Sequence, residues 1–167
     1  MQVLQKLCMN EYVGLHTILV SDRYEATYSG MTPSFVKNDF LENEIQIDLQ
    51  RLCFNAGATF IKDSIESLNF KLNEITLIKN PNIRFDILSI NTGSVSKTNK
   101  ILISNDAKYV LVKPINKLVR DLPKIDKVIN NSIITNITIV GGGIAAYEIS
   151  FSLKQRYQDK LKILIVG

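Results

Sequence analysis

Three consecutive glycines, Gly141, Gly142 and Gly143, directly follow the apolar run Ile137–Val140. With the next three residues they fit the pattern G-x-G-x-x-A, which binds the pyrophosphate of a dinucleotide. The first glycine allows a sharp turn, Gly143 lets the backbone approach the phosphates, and Ala146 lets the following helix pack closely on the strand. The free N–H groups at the start of that helix attract the phosphate charge. The sequence therefore predicts a nucleotide-binding turn.

The segments around this turn are the ones that the motif requires. A helical segment from about Ile144 to Tyr157 follows the glycines, and a second apolar strand covers Leu161–Val166. The acidic residue that usually holds the ribose comes at the end of that second strand, but Ile165-Val166-Gly167 contains no carboxylate, so both NAD and NADP stay open. Glu148 either faces the ligand or is a solvated helix residue. The alternative to a binding site is a glycine turn that serves only tight packing.

The two cysteines and the single histidine do not form a recognisable catalytic or metal-binding motif. Cys8 and Cys53 are far apart and form no C-x-x-C pair, so no catalytic dithiol is expected. Both fall on apolar faces of predicted helices, which indicates buried, inert thiols. His16 is the only histidine, which leaves a histidine-cluster metal site or a serine hydrolase triad without support. We expect His16 in the core or at a strand edge, and no metal site.

The composition indicates a globular chain. It has 167 residues, of which 46% are apolar and 22% are charged, and its 20 basic residues interleave with 16 acidic ones without a run of like charge. This pattern does not favour nucleic-acid binding. The apolar runs are too short for a membrane span, and the N-terminus lacks the pattern of a secretion signal. A cytoplasmic location follows by default.

The first half of the chain is predicted to mix helices and strands. A helix includes Val3–Cys8, a buried parallel strand covers Leu15–Val20, and residues 21–44 read as one long functional loop. A helix from Asp48 to Phe54 is ended by Gly57. Short β-rich runs between residues 59 and 79 predict a small antiparallel meander.

The second half is predicted to lead into the glycine turn. Phe85–Ile90 reads as a strand, and the runs Ile101–Ile103 and Tyr109–Val112 are again apolar. Within Leu118–Ile129, a helix is predicted from Pro123 onward. Residues 130–132 then read as a linker.

Several short motifs occur in a fixed order along the chain. In the first half they are Tyr28-Ser29-Gly30-Met31-Thr32-Pro33 and Ile47-Asp48-Leu49; in the second half they are Phe85-Asp86-Ile87-Leu88-Ser89, Thr92-Gly93-Ser94, Lys113-Pro114-Ile115 and the segment from Val140 to Glu148. In this order they resemble the FAD-dependent pyridine nucleotide-disulfide oxidoreductase superfamily. Within it, the chain is most similar to the type II NADH dehydrogenase-like branch, of the kind fused to selenide, water dikinase. The resemblance covers nearly the whole chain.

The resemblance implies a fold, two cofactors and a set of binding residues. The fold would be α/β: a Rossmann-like FAD/NAD(P)-binding fold of three layers with a small antiparallel β-meander. The family passes hydride from NAD(P)H to a bound FAD, so FAD and either NAD or NADP are the implied cofactors. The implied cofactor-binding residues are Tyr28, Ser29, Gly30 and Pro33 near the flavin, Thr92 and Gly93 on FAD, and Gly141, Gly142, Gly143, Ala146 and Glu148 at the nicotinamide dinucleotide.

The comparison with the family also predicts that the pattern is incomplete at both ends. The family begins with a strand and its own glycine turn for the FAD pyrophosphate, whereas Met1–Leu4 match the helix that follows. We therefore predict a partial FAD-binding domain over residues 1–131 and the first βαβ unit of an NAD(P)-binding domain over residues 132–167. Self-association, or substitution by the unit that begins at Ile137, would fill the place of the first strand.

Two functions follow from the resemblance. The first is a fragment of an FAD-dependent NAD(P)H oxidoreductase, with a nicotinamide dinucleotide as its ligand. The second is a catalytically inactive nucleotide-binding or assembly module that retains the fold. Selenide, water dikinase is the further partner that the resemblance implies.

Overall fold

The computed structural model describes residues 2–10, 13–97 and 108–167. The apolar run Ile101–Ile103 lies outside these residues. By contacts between its Cα atoms the chain divides into two units, the first formed by Met1–Ala26 with Gln46–Asn91 and the second by Thr27–Ile45 with Thr92–Gly167. The domain boundary between residues 131 and 132 stays a prediction.

The described residues form five α-helices and nine β-strands. They are α1 (Gln2–Met9), β1 (Ile18–Ser21), β2 (Glu25–Thr27), α2 (Thr32–Lys37), β3 (Gln46–Asp48), α3 (Leu49–Asn55), β4 (Thr59–Lys62), β5 (Ile65–Asn69), β6 (Glu74–Leu77), β7 (Ile83–Arg84), α4 (Ile115–Asn130), β8 (Thr135–Val140), α5 (Ile144–Tyr157) and β9 (Leu161–Val166). Short 3-10 turns precede α2, β3 and β9.

The first unit contains a parallel strand pair and an antiparallel meander. Strands β1 and β4 pair in parallel, with Ile18 opposite Thr59 and Ser21 opposite Lys62. The predicted parallel strand is confirmed, although it begins at Ile18 and not at Leu15. Strands β5, β6 and β7 form the predicted antiparallel meander. The assignment of β4 to that meander was wrong, because the crossover through α3 returns β4 beside β1 in the parallel direction.

Helix α3 has the start and end that its sequence predicts. The Asp48 carboxylate accepts a hydrogen bond from the N–H of Arg51 at 2.9 Å, which satisfies one of the free donors of the first turn. The chain leaves the helix through Gly57, whose φ of +61° is readily adopted only by glycine. Local side-chain chemistry thus fixes both ends of α3.

The cysteines and the histidine of the first unit differ in their exposure. Cys53 is buried, as predicted, and burial raises the pKa of its thiol. The prediction that Cys8 is buried was wrong: it is exposed, on a helix of only eight residues that leaves this side chain at the edge of its packed face. His16 lies at the edge of the parallel pair, where its Nε2 is 3.2 Å from the Thr59 hydroxyl. This position confirms the strand-edge interpretation.

The buried carboxylate of Asp63, which follows β4, holds the loop between β6 and β7 by hydrogen bonds. Asp63 accepts hydrogen bonds from the N–H groups of Ser64, Lys79 and Asn80 and from the Asn80 side chain, at 2.8 to 2.9 Å. Burial alone would raise the pKa of Asp63, but these bonds, led by that from the Asn80 side chain, lower it to about 2. The carboxylate is therefore ionised whenever the unit is folded near neutral pH.

The second unit is a βαβ unit with two further helices packed on it. Strands β8 and β9 pair in parallel over their whole length, from Thr135 opposite Leu161 to Val140 opposite Val166. Along both strands, side chains that pack on the core alternate with exposed ones. The core contains Val36, Leu118, Leu122, Ile129, Ile149, Leu153, Tyr157 and Leu161. It therefore joins α2, α4 and α5 to one face of the strand pair.

An ionic cluster ties the three helices together beside this core. The Arg156 guanidinium donates two hydrogen bonds to the Asp126 carboxylate, at 3.0 and 2.8 Å, and a third to the Val36 carbonyl at 3.1 Å. The Tyr157 hydroxyl donates to the same carboxylate at 2.5 Å. Because these residues belong to α2, α4 and α5, the cluster fixes the three helices relative to one another.

Three predictions of secondary structure from the sequence were wrong. Residues 21–44 are not one long loop, since they contain β2 and α2, and α2 is held by the burial of Val36. Helix α4 begins at Ile115, eight residues before the predicted start at Pro123, because the apolar face over residues 118–122 is buried and outweighs one missing hydrogen bond. Phe85–Ile90 is not a strand, and pairing in the meander ends at Arg84.

Candidate functional site

The glycine turn lies between the end of β8 and the start of α5, as predicted. The N–H of Gly141 donates to the carbonyl of Val166 at 2.6 Å and extends the parallel pairing by one residue. Gly143 is the residue that precedes the helix, with φ −81° and ψ 168°, and no side chain caps α5. The first N–H groups of a helix have no partner within it. This turn therefore presents free donors and the positive end of the helix dipole together.

The three glycines of the turn have different structural roles. Gly141 has a φ of +129°, which other residues rarely adopt, so the fold itself requires glycine there. A Cβ on Gly142 would lie 3.4 Å from the Cα of Gly167. Gly143 has an ordinary φ, and a Cβ there would meet nothing within 4 Å. The fold does not require glycine at position 143, and the space beside it is open.

The residues after the turn complete the helix start. Ala146 donates its N–H to the carbonyl of Gly143 at 2.9 Å and is half-buried. The first turn of α5 contains no acidic residue that would oppose an anion. Glu148 lies one turn further along and is exposed, and its role toward a ligand stays a prediction. The arrangement meets the requirements of a diphosphate site: an open approach, free amides and the positive end of a helix.

The Tyr28–Pro33 segment leads into α2 in the same unit. The Tyr28 ring lies over Gly30, where a Cβ would be 3.3 Å from the ring, so this glycine makes room for the tyrosine. Ser29 begins the short 3-10 turn, and Pro33 is in the first turn of α2. The Thr32 hydroxyl is buried and has no hydrogen-bond partner, a feature that the sequence did not predict. An unsatisfied buried hydroxyl lies in the segment that the resemblance places near the flavin.

Thr92 and Gly93 lie on an exposed stretch of the second unit without regular structure. Gly93 has a φ of +77°, and a Cβ there would meet no atom within 4 Å. No described contact joins these two residues to the glycine turn. The structure brings α2, which carries Pro33, against α5, whereas Thr92 and Gly93 lie outside these two helices.

Neither a metal-ligand cluster nor a membrane-spanning helix occurs in the part of the chain that the structure describes. Within residues 2–10, 13–97 and 108–167, no group of three or more His, Cys, Asp or Glu residues is placed to hold a metal ion. In the same residues, none of the helices combines the length and the apolar character needed to cross a bilayer.

Solved structures of three oxidoreductases resemble this chain. The sulfide:quinone oxidoreductase of the hyperthermophilic bacterium Aquifex aeolicus matches 97% of the chain with a TM-score of 0.69 and 18% identity. NDH2 of Plasmodium falciparum in complex with NADH matches 95% with a TM-score of 0.68 and 16% identity. The NADH:rubredoxin oxidoreductase of Clostridium acetobutylicum matches 90% with a TM-score of 0.55 and 16% identity. The chain has the fold of these oxidoreductases.

This shared fold confirms the predicted α/β class with its small antiparallel meander. The chain spans only 40%, 38% and 38% of the length of the three structures, respectively. No protein-family model matches the sequence, and the comparison with curated proteins found no relative. The comparisons therefore establish the fold alone.

Proposed function

We propose that the chain is part of an FAD-dependent NAD(P)H oxidoreductase of the NADH dehydrogenase-like kind. The second unit binds the diphosphate of NADH or NADPH at the turn formed by Gly141, Gly142 and Gly143. In such an enzyme the nicotinamide supplies a hydride and the bound flavin accepts it. The described residues bind and orient the dinucleotide, and none of them acts as a nucleophile.

The observation that carries this proposal is the open space at Gly143. A glycine that only served folding would have a positive φ or a close neighbour, as Gly141 does through its φ of +129°. Gly143 has neither, yet it lies at the start of a 14-residue helix whose first amides have no side-chain cap. A diphosphate in that space would accept hydrogen bonds from the amides and gain from the helix dipole.

Residues of the same unit support the proposal that the protein binds FAD. The resemblance assigns Tyr28, Ser29, Gly30 and Pro33 to its surroundings and Thr92 with Gly93 to FAD contact. The buried Thr32 hydroxyl lacks a partner, and a bound group with a polar edge would supply one. The open backbone at Gly93 would likewise admit a ligand. These residues fit FAD, and they would hold it beside α2.

A pair of neighbouring substitutions tests the nucleotide site. We expect Gly143→Ala to weaken NADH binding about tenfold or more, because the new methyl group occupies the space of the phosphates; tenfold corresponds to roughly 1.4 kcal/mol. Gly142→Ala is the matched control, since the motif accepts any residue there and its Cβ makes only ordinary contact. Titration calorimetry measures both, and circular dichroism checks that each variant is folded. Equal affinities for the two variants would mean that the turn is structural only.

A second measurement separates the enzyme from the alternative module. The chain is mixed with FAD and NADH, and the loss of NADH absorbance is followed with an artificial electron acceptor present. Oxidation that Gly143→Ala slows supports the oxidoreductase. Binding of NADH without oxidation, at saturating FAD, would instead support the catalytically inactive nucleotide-binding module.

A further inference from the structure

Helices α1 and α3 carry the two cysteines of the chain, and these helices pack against each other in the first unit. On α1, Leu4 is buried and Cys8 follows it by one helical turn, which places both on the same side of the helix. On α3, Leu49 and Cys53 are again one turn apart, and both are buried. The sequence separates the two thiols widely, whereas the fold brings them to the contact between two helices.

The Cys8 thiol contacts the chain directly beside Cys53. Its S–H donates a weak hydrogen bond to the carbonyl of Leu52 at 3.9 Å, and that carbonyl belongs to the peptide bond that joins Leu52 to Cys53. Burial raises the pKa of the Cys53 thiol, and the neighbouring Cys8 thiol raises it further. The ionisation of Cys53 therefore responds to Cys8, although both cysteines are free thiols in this structure.

The two thiols differ in how solvent can reach them. Cys8 is exposed, whereas Cys53 is only 1% exposed. Oxidants attack the thiolate form of an accessible cysteine most readily. Cys53 is shielded from solvent, and its raised pKa keeps the thiol protonated near neutral pH. Cys8 is therefore the first target of an oxidant, and Cys53 is the thiol beside it.

We propose that Cys8 and Cys53 form an oxidation site at which hydrogen peroxide produces a disulfide between α1 and α3. First, the Cys8 thiolate attacks one oxygen of the peroxide, the O–O bond breaks, and Cys8 becomes a sulfenic acid. The hydroxide that leaves takes up the proton that Cys8 released. The Cys53 sulfur then attacks the sulfenic sulfur, the S–O bond breaks, and the departing hydroxyl takes the Cys53 proton. Two thiols thus lose two electrons, and one peroxide becomes two waters.

The cross-link should stabilise the folded chain. It joins two helices that already pack together, so it removes freedom mainly from the unfolded chain. Helix α1 has only eight residues, and a small shift of so short an element can bring the two sulfur atoms to disulfide geometry. We therefore expect the oxidised protein to melt roughly 5 to 10 °C above the reduced protein.

Treatment of the folded full chain with an equimolar amount of hydrogen peroxide tests the proposal. The chain is then unfolded in an alkylating agent, and mass spectrometry of its peptides locates free and linked cysteines. We expect a peptide pair that joins Cys8 to Cys53, and a rise in melting temperature that dithiothreitol reverses. Cys53→Ala removes the second thiol, so its Cys8 should persist as a sulfenic acid that dimedone traps.

A shifted thiol provides the matched control, in which Cys8→Ser is combined with Met9→Cys. Met9 is 75% exposed and lies about 100° further round the helix, so a thiol there should form roughly tenfold less cross-link to Cys53. Equal cross-linking by the shifted thiol would overturn the proposal. So would a disulfide between the Cys8 residues of two chains, or an oxidised Cys8 beside a Cys53 that is still alkylated. A cross-link that lowers the melting temperature would show that the fold does not bring the two thiols together, and it would overturn the proposal too.

Discussion

The ionic cluster of the second unit allows a quantitative prediction for Asp126→Ala. This change leaves the Arg156 guanidinium and the Tyr157 hydroxyl without their shared acceptor. The side chains of Arg156 and Asp126 are only 16% and 26% exposed, so water replaces the lost bonds incompletely. Breaking a buried ion pair costs about 3 to 5 kcal/mol, and the partial exposure reduces our expectation to about 2 to 4 kcal/mol. The melting temperature should fall by roughly 6 to 12 °C.

A surface pair provides the control for this prediction. Lys37 and Asp39 are 2.9 Å apart, but their side chains are 40% and 42% exposed, so Asp39→Ala should cost about 1 kcal/mol or less. Urea unfolding followed by circular dichroism measures the free energy of unfolding of both variants. If Asp126→Ala is no more destabilising than Asp39→Ala, burial does not strengthen the cluster and the argument is wrong.

The same cluster should make stability depend on alkaline pH. Burial, followed by the hydrogen bond to Asp126, raises the pKa of Tyr157 above the usual range of a tyrosine. A raised pKa in the folded state means that the stabilising contribution is complete below the ordinary tyrosine pKa of about 10 and is lost as pH rises beyond it. We expect the free energy of unfolding to fall above that pH. Tyr157→Phe should lower it at neutral pH but remove this part of the alkaline decline.

Two further substitutions test the turn and the meander. Gly141→Ala should lower the free energy of unfolding by about 1 to 3 kcal/mol, because residue 141 has a positive φ. Gly143→Ala should leave the free energy of unfolding unchanged or raise it by about 0.4 to 1 kcal/mol. Equal effects of the two substitutions in urea unfolding would contradict the different roles of the two glycines. For Asp63, a pKa lowered to about 2 gives a stabilising contribution present above the unfolded value near 4 and lost as pH falls toward 2. Asp63→Asn should therefore flatten the stability profile over that acid range, and an unchanged profile would show that another carboxyl controls it.

The sequence was most informative where structure is decided locally. The limits of α5 and the position of the turn followed from an apolar strand, three glycines and a helix of fourteen residues, all contiguous. The short helix α2 was missed because six residues are too few to show a helical period, and it depends on contacts with α5 such as that between Arg156 and the Val36 carbonyl. A local sequence pattern cannot predict a contact between two residues that are 120 positions apart.

The same limit applies to buried polar groups. Asp63 and Asn80 are 17 residues apart, and Asp126 and Arg156 are 30 apart, so their pairing depends on the fold. The start of α4 was predicted wrongly for another reason, because Pro123 was given the role of a helix start. In the structure, burial of the preceding turns in the core stabilises the helix enough to hold a proline in its interior. The site was therefore predictable as a local motif, whereas the interactions that support it were not.

The placement of the cysteines and the histidine has a chemical consequence for the second unit. Cys8, Cys53 and His16 all belong to the first unit, so Thr27–Ile45 with Thr92–Gly167 contains neither a thiol nor an imidazole. Imidazole is the side chain whose ordinary pKa falls within the physiological range, and thiols are the usual targets of mild oxidants. The glycine turn thus belongs to a unit that has no imidazole to titrate near neutral pH and no thiol to oxidise. Under the proposed function, the bound dinucleotide and flavin carry the electrons, because this unit has no thiol that could form a redox disulfide.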